Sequence, residues 1–326
     1  MKIEGFSGKA HWYRGNLHSH TVVSDGKLQP KEAAELYRKG GYQFLCLSEH
    51  DIYTDFSAEF NREDFIILPG IEYSAILYDN QESAKRLKIH HLHGILGTQE
   101  MQKQAKSPLL THMQHIPPLK FYGGWDGAAV AQEMADMLAG HGLVTTYNHP
   151  IWSRTEQDEF ANTRGLHMLE IFNYDTVLES ETGYDVTYWD HMLRAGYKVN
   201  AFASDDNHND GLEDSCGGWV CVNADTLTQE DLVRELIAGN YYSSAGPEIY
   251  DWHIEDGVAH IRCSNVNRIT FAAGNVINDG WTFHGTPLED DLCEAAYPLK
   301  GHELYLRAEC TDRYGRTAWT NPIYLG

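Results

Sequence analysis

The first 245 or so residues alternate short apolar runs with amphipathic stretches. The apolar runs predict strands, and they lie at 12–17, 44–51, 65–72, 89–94, 143–150, 166–170 and 199–208. The amphipathic stretches predict helices, each ending at or just before a glycine, at 30–39, 128–139, 180–195 and 228–239. Strands that alternate with helices are typical of an α/β fold with a parallel sheet or barrel.

The pattern changes after Gly246 and Pro247. Short runs such as 250–254, 259–263 and 304–310 alternate apolar and polar residues and are separated by turn residues. This period of two predicts a small antiparallel β module with a structural role. We therefore predict two domains, with boundaries at 1–246 and 247–326.

Most of the predicted strands in the first part end in a histidine or a carboxylate. The first is followed by His18 and His20, which share one face if the strand continues. Alone, this pair also fits two solvated surface residues. The later runs end in further potential ligands, namely His50, Glu72, the histidines 90, 91 and 93, His149, and Asp206 with His208. Because functional groups gather at the carboxyl ends of parallel strands, the sequence predicts a metal site there.

A long segment between the strand at 89–94 and the helix at 128 carries Pro117, Pro118 and the aromatic residues 121, 122 and 125. Long connections inside a domain are usually functional. We expect this segment to form a lid or a wall of the substrate pocket. The alternative is a surface loop with an aromatic cluster of its own.

Charge restricts the class of partner. The chain has 326 residues, with 47 acidic against 25 basic side chains and a net charge of −22. Such a surface disfavours binding of a long nucleic acid, whereas a small anionic substrate drawn in by metal ions is compatible with it. The six cysteines show no metal-binding spacing, and no apolar run reaches the length of a membrane span. A cytoplasmic protein with free thiols and no membrane partner is expected.

Several motifs together resemble the polymerase-and-histidinol-phosphatase (PHP) family of metal-dependent hydrolases. They are Leu17-His18-Ser19-His20-Thr21, Ser24-Asp25-Gly26, Ser48-Glu49-His50-Asp51, Gly70-Ile71-Glu72, Asn148-His149-Pro150 and Asp206-Asn207-His208. The stretches 12–18 and 307–322 also look like the carbaryl-hydrolase-type branch. The resemblance implies a distorted (β/α)7 barrel with two or three divalent ions, followed by a β module.

The resemblance also implies three adjacent ion sites, of which the first two share Glu72. The first is formed by His18, His20, Glu72 and Asp206. The second combines Glu72, His149 and a histidine of the 90–93 cluster. The third is formed by Asp25, His50 and His208. Strand alternation excludes only His90 from the second site, and the spacing to Gly94 favours His91 as the ligand, with His93 lining the pocket.

The predicted function is hydrolysis of a small phosphomonoester or phosphodiester by a metal-activated hydroxide. Zn, Mn or Fe all suit the mixed imidazole and carboxylate ligands. We predict Glu72, Asp206 and His208 as catalytic residues, and Arg154 and His93 as contacts of the substrate. A surface position is an equally good interpretation of Arg154.

Other side chains near the motifs are expected to orient ligands or to be structural, namely Glu49, Glu170, Asp205 and Asn207. The alternative enzyme is a metal-dependent hydrolase of a carbamate, carboxylic ester or amide, which a pocket without basic residues would favour. A non-catalytic scaffold is disfavoured because so many buried polar groups would be costly without a function.

Overall fold

The helices lie largely where the amphipathic pattern predicts them. The computed structural model describes residues 2–82, 85–109, 111–274 and 276–326. Its helices are α1 (Pro30–Lys39), α2 (Ser57–Phe60), α3 (Gln99–Gln104), α4 (Gly127–Gly140), α5 (Tyr174–Ser180), α6 (Val186–Arg194) and α7 (Gln229–Ala238). The predictions for α1, α4 and α7 are confirmed. None of the helices in the described residues has the length and apolar composition that a bilayer crossing requires.

The helix predicted over 180–195 is wrong in its first third. Glu181 adopts a left-handed φ of 58° and ends α5, and α6 begins five residues later. Between them the chain turns tightly at Gly183. A Cβ atom built on this glycine would lie 2.1 Å from the carbonyl oxygen of Asn173, so only glycine fits the turn.

The described residues form twenty-one strands, twelve of them before α7. These are β1 (Lys2–Glu4), β2 (His11–Asn16), β3 (Phe44–Leu47), β4 (Ile52–Thr54), β5 (Ile66–Tyr78), β6 (Arg86–Leu96), β7 (Met113–His115), β8 (Leu119–Tyr122), β9 (Leu143–Tyr147), β10 (Leu166–Asn173), β11 (Asn200–Ser204) and β12 (Trp219–Ala224). The others are β13 (Tyr241–Ser244), β14 (Ile249–Glu255), β15 (Val258–Val266), β16 (Arg268–Ala273), β17 (Trp281–His284), β18 (Leu292–Pro298), β19 (Tyr305–Thr311), β20 (Thr317–Thr320) and β21 (Ile323–Tyr324).

The sheet is mixed, whereas the sequence predicts a parallel one. β3 is parallel to β2 and β5, and β10 is parallel to β9 and β11. β6, by contrast, is antiparallel to both of its neighbours, β5 and β9, because β5 and β6 form a long hairpin. As a result Glu72 lies inside β5, opposite His93 of β6, and not at the end of a strand.

The closed seven-stranded barrel is not confirmed. No ladder between described residues joins β11 to β2, although the segments that follow these strands meet at one isolated bridge between Ser19 and Asn207. Two backbone hydrogen bonds support this bridge, from Asp206 N to His18 O (3.0 Å) and from His20 N to Asn207 O (3.1 Å). The structure is therefore a mixed α/β fold in which the segments that follow β2 and β11 approach each other at the predicted ligands.

The residues after 247 form antiparallel strands, and these strands are connected to the first part of the chain. β20 pairs with β13, and the N-terminal β1 pairs with β14. One core cluster contains both Leu45 of β3 and Trp252 of β14. The division into domains at 246 and 247 stays a prediction, and the two parts share a core across it.

Candidate metal centre

Glu72 lies at the centre of the predicted ligands. Its carboxylate is fully buried and lies 3.0–3.3 Å from ring nitrogens of five histidines, which are His18, His20, His50, His91 and His149. Oε2 has no hydrogen-bond partner among the described residues, although His50 Nδ1 is only 3.0 Å away. Oε1, by contrast, accepts a hydrogen bond from Asn148 Nδ2 (2.8 Å) and approaches His149 Nε2 at 3.2 Å. A buried carboxylate oxygen that faces ring nitrogens without a hydrogen bond is typical of a donor set arranged around a common cation.

One group of four buried side chains fits a single ion well. His18 Nε2 lies 3.1 Å from His20 Nε2, and Asp206 Oδ1 lies 2.9 Å from the former and 3.0 Å from the latter. Glu72 completes the group at 3.3 Å from both histidines. Donor atoms bound to one ion at about 2.1 Å lie about 3.0–3.4 Å apart, so these distances suit a divalent cation.

Two further groups adjoin the first and share His50. Its Nδ1 faces Glu72 and forms a group with His91, while its Nε2 lies 3.5 Å from Asp25 Oδ2. Asp25 also approaches His208 Nε2 at 3.4 Å. The structure thus brings together all nine residues that the resemblance implies as ligands, and the histidine at position 50 lies between two groups.

The backbone at two of these positions adopts a conformation that is rare for residues with a side chain. Asp206 has a φ of 56° and His149 a φ of 26°. Strained backbone of this kind persists only where the surrounding structure determines it, and it is concentrated at functional sites. Here the bridge at Ser19 fixes the segment of Asp206, and a hydrogen bond from Asn148 N to His91 O (3.0 Å) fixes that of His149.

Two predicted substrate contacts lie elsewhere. His93 is completely buried beneath the centre, with its ring 4.1 Å from that of His18, and it is not part of the cavity wall. Arg154 is exposed, and its guanidinium contacts the carbonyl oxygen of Ile151 at 3.5 Å outside the cavity. The segment 99–127 is likewise absent from the described cavity lining, so the expectation of a pocket wall there is wrong.

Glu170 orients two of the ligands. Its buried carboxylate accepts hydrogen bonds from His18 Nδ1 (2.9 Å), from the backbone N of His149 (3.0 Å) and from Asn173 Nδ2 (3.1 Å). A carboxylate on the second ring nitrogen fixes the imidazole tautomer so that Nε2 faces the cation. The position of Glu170 at the end of a predicted strand was the only signal of this role in the sequence.

Two other buried carboxylates hold the loops that carry ligands. Glu49 accepts hydrogen bonds from the backbone N of Thr21 and of Ser24, both at 3.1 Å, and so fixes the turn between His20 and Asp25. Asp205 accepts three backbone hydrogen bonds from residues 216–218 and one from the Tyr37 hydroxyl at 2.7 Å. Both positions agree with the orienting roles expected for them.

The histidines strongly affect the acidity of the central carboxylate. Burial alone would raise the pKa of Glu72, but His18 and His91 outweigh it and hold that pKa well below its usual range. Burial lowers the pKa of His91 to about 4 despite the nearby Glu72. An ionised carboxylate next to a neutral imidazole is the protonation state that metal binding requires, and the pair Glu72 and His91 has it. Burial is outweighed by the nearby carboxylates, which raise the pKa, at His18, His50, His149 and His208. Metal binding at these four histidines therefore releases protons.

The centre opens into a cavity of about 610 Å³. Its walls include seven acidic residues, which are Asp25, Asp51, Asp175, Glu179, Asp206, Asp210 and Asp214. They also include two basic residues, Lys27 and Arg86, and the indole of Trp152. Burial, followed by the charge of Asp206, raises the pKa of Asp175 to about 7. Sequence patterns did not indicate Lys27, Arg86, Trp152 or Asp175.

No protein-family model matches the chain. A curated protein with partial similarity is the 5'-3' exoribonuclease Rnm of Salmonella typhimurium, which is 27% identical over 138 residues. The match covers 39% of this chain, and it spans somewhat less than half (45%) of that protein's own length.

Two solved structures resemble the chain in outline. One is a two-domain protein from Bacteroides vulgatus described as containing a predicted PHP-like metal-dependent phosphoesterase. It has a TM-score of 0.45 and 11% identity, and 95% of each chain is covered. The other, from Bifidobacterium adolescentis, is named as a candidate metal-dependent phosphoesterase, with a TM-score of 0.43 and 17% identity over 69% of this chain and 95% of that one. At such scores neither likeness bears on the argument below.

Proposed function

We propose that the protein is a metal-dependent hydrolase that cleaves small phosphate esters. The observation that carries the proposal is the arrangement around Glu72. One buried carboxylate faces five imidazoles, and its Oε2 has no hydrogen-bond partner among the described residues. Leaving such a group unpaired in the interior costs several kcal/mol, which bound cations offset.

Nine side chains would hold two or three divalent ions, such as Zn, Mn or Fe: His18, His20, Asp25, His50, Glu72, His91, His149, Asp206 and His208. When bound, such ions polarise a phosphoryl group and lower the pKa of water to near neutrality. Glu72 lies between the first and second groups and therefore fixes their separation. Asp206 and His208 extend from one loop into the first and third groups.

The cavity wall favours a phosphate ester over a neutral ester or amide. The alternative of a carbamate, carboxylic ester or amide substrate was expected to have a pocket without basic residues. Instead Lys27 and Arg86 both line the cavity next to the centre. Charged donors of this kind hold phosphate oxygens that the ions do not contact.

The acidic wall also favours a small substrate. Seven carboxylates and only two cations line the cavity, and a long phosphate backbone needs a continuous basic track. Because the Salmonella relative is named an exoribonuclease, a short oligoribonucleotide is one of the substrates to assay.

The first prediction concerns Lys27 and Arg86, the two basic side chains that line the cavity. Lys27→Ala and Arg86→Ala are each expected to raise KM for an aryl phosphate about tenfold and to change kcat less, because each removes one contact to the phosphate. Arg154→Ala is the matched control and is expected to leave both constants unchanged, since Arg154 lies outside the cavity. Steady-state kinetics on the three variants would decide, and an effect confined to Arg154→Ala would contradict the assignment.

The second prediction concerns the reaction itself. The purified protein, analysed for metal by mass spectrometry, is expected to hydrolyse 4-nitrophenyl phosphate or its bis-ester. Chelation should abolish this activity, and Mn²⁺ or Zn²⁺ should restore it. Parallel assays use a carboxylic ester, a carbamate and a short oligoribonucleotide. Hydrolysis of the carboxylic ester or carbamate alone would replace the phosphoesterase proposal, and unchanged activity after chelation would refute the role of metal.

A further inference from the structure

A second cavity, of about 420 Å³, adjoins the metal-centre cavity. The loop after β11 and helix α5 separate the two. Residues 206–214 of the loop line the metal-centre cavity, and residues 216 and 217 line the second one. On α5, Tyr174 and Val177 face the second cavity, whereas Asp175 and Glu179 face the first. The volume is within the range of pockets that bind small molecules.

The second cavity differs from the first in charge. Among its described lining residues are two arginines, Arg14 and Arg316, and neither an aspartate nor a glutamate. The metal-centre cavity, by comparison, has seven carboxylates. In a chain with a net charge of −22, a basic cavity is a local exception. The two guanidinium groups attract an anion, Arg14 more strongly than Arg316, because Asp312 offsets the charge of Arg316.

Arg14 lacks an anionic partner. Its guanidinium stacks on Trp219 at 3.6 Å and on Tyr42 at 4.3 Å, and Nη2 donates to the Tyr42 hydroxyl at 3.1 Å. Nε is buried without a hydrogen-bond partner, and no described carboxylate lies within ion-pair distance of Arg14. The two rings and the Tyr42 hydroxyl stabilise the guanidinium, and a bound anion would supply the charged partner that it does not have among the described residues.

Aromatic residues make up half of the remaining wall. Trp219 and Trp319 are nearly buried, while Tyr184 and Tyr314 are 47% and 69% exposed. Tyr314 lies at the tip of the hairpin between β19 and β20, next to Arg316. Rings with exposed faces, placed beside guanidinium groups, form a site that suits a flat ring carrying a negative charge.

We propose that this cavity is a binding site for a small planar aromatic anion, a carboxylate or a phosphoryl compound. Arg14 and Arg316 would pair with the acidic group, and the exposed tyrosines would contact the ring. The proposal does not depend on the hydrolytic function, because no ligand of the metal centre lines this cavity. Arg316 already donates Nε to Asp312 at 2.7 Å, so the planar guanidinium is held in place at the entrance.

Isothermal titration calorimetry of the full-length, metal-loaded protein tests this proposal with four probes. Benzoate and phenylphosphonate carry a ring and an anion, methylphosphonate carries only the anion, and benzyl alcohol carries only the ring. We expect benzoate, phenylphosphonate or both to bind. Whichever of the two binds more tightly shows whether the site prefers a carboxylate or a phosphoryl group. Arg316→Ala and Tyr314→Ala should each weaken this binding about tenfold.

Arg262→Ala is the matched control. Arg262 is an exposed arginine of β15 whose guanidinium lies 5.6 Å from the ring of Tyr250, and it does not line the cavity. Its removal should leave binding unchanged. Tyr314→Ala leaves the bond between Arg316 and Asp312 intact, so it tests the site even if Arg316→Ala disturbs the hairpin. The proposal is overturned if neither ring-bearing anion binds, if both test variants bind like Arg262→Ala, or if benzyl alcohol binds as tightly as benzoate.

Discussion

Glu72→Gln is expected to lower kcat/KM for the phosphate ester by about 10³-fold or more and to reduce the bound metal by at least one ion per chain. The substitution keeps the volume of the side chain and removes the charge that faces five imidazoles. A neutral amide cannot hold two cations close together, and their loss removes several kcal/mol of transition-state stabilisation. Metal analysis by mass spectrometry and steady-state kinetics are the two measurements.

Glu213→Gln provides the control for this change. Glu213 is an exposed residue of the loop that carries His208, and it belongs to none of the ligand groups. The control variant should keep its metal content and its activity. If Glu72→Gln retains the full metal content and loses activity only slightly, Glu72 is not the central ligand and the proposed arrangement of ions is wrong.

Most residues of the site could be predicted from the sequence because they lie in or directly after a recognisable apolar run, whereas Asp25 was assigned through the family resemblance. His18, His20, His50 and Asp206 are adjacent to strands whose ends meet, and alternation along a strand fixes which side chains share a face. These are local properties of the chain. The helices α1, α4 and α7 were predictable for the same reason, since their caps and amphipathic spacing are local too.

The direction of a strand is not a local property. For this reason the prediction of a parallel sheet and the placement of His93 in the pocket were wrong. The sequence gives no sign that β5 and β6 form an antiparallel hairpin, in which Glu72 pairs with His93 and Ser74 with His91. This register places His93 beneath the centre and His91 at the cavity. Alternation alone could not separate the two histidines, because both lie on the same face of the strand.

The sequence patterns did not indicate the basic side chains of the cavity, Lys27 and Arg86, for a related reason. Lys27 lies in a turn, and Arg86 begins β6 near the tip of the hairpin, so neither belongs to a periodic pattern. Only the tertiary arrangement brings them to the centre. Arg154 shows the converse case, because its proximity to His149 in the sequence suggested a contact that the left-handed backbone at residue 154, with φ 60°, does not provide.

Arg307→Ala is expected to lower the free energy of unfolding, which is the second large effect. Arg307 of β19 is 3% exposed, and its guanidinium lies 4.7 Å from the ring of Trp189 on α6. Nη1 pairs with Glu309, and Nη2 lies 3.5 Å from Asp190 Oδ1. Removing Arg307 leaves a void and two carboxylates without their cation, and because these are themselves 30% and 23% exposed the cost is about 2–3 kcal/mol of the free energy of unfolding.

The control is Arg313→Ala, which removes an arginine from the exposed hairpin that follows β19. Its ion pair with Asp290, at 3.7 Å, is largely solvated and is worth about 0–1 kcal/mol. Urea unfolding followed by circular dichroism gives the free energy for both variants. Equal losses in the two variants would show that the Arg307 pair does not contribute as its burial implies.

The same experiment tests how the two parts of the chain are connected. Arg307 lies after residue 247, while its partners Trp189 and Asp190 lie before residue 246, and the Tyr305 hydroxyl adds a hydrogen bond to Asp190 at 2.6 Å. If this contact couples the two parts, the wild type unfolds in one transition. Arg307→Ala should then lower its midpoint or split it into two. A wild type that already unfolds in two separate transitions would instead show that the β module is stable independently of this contact.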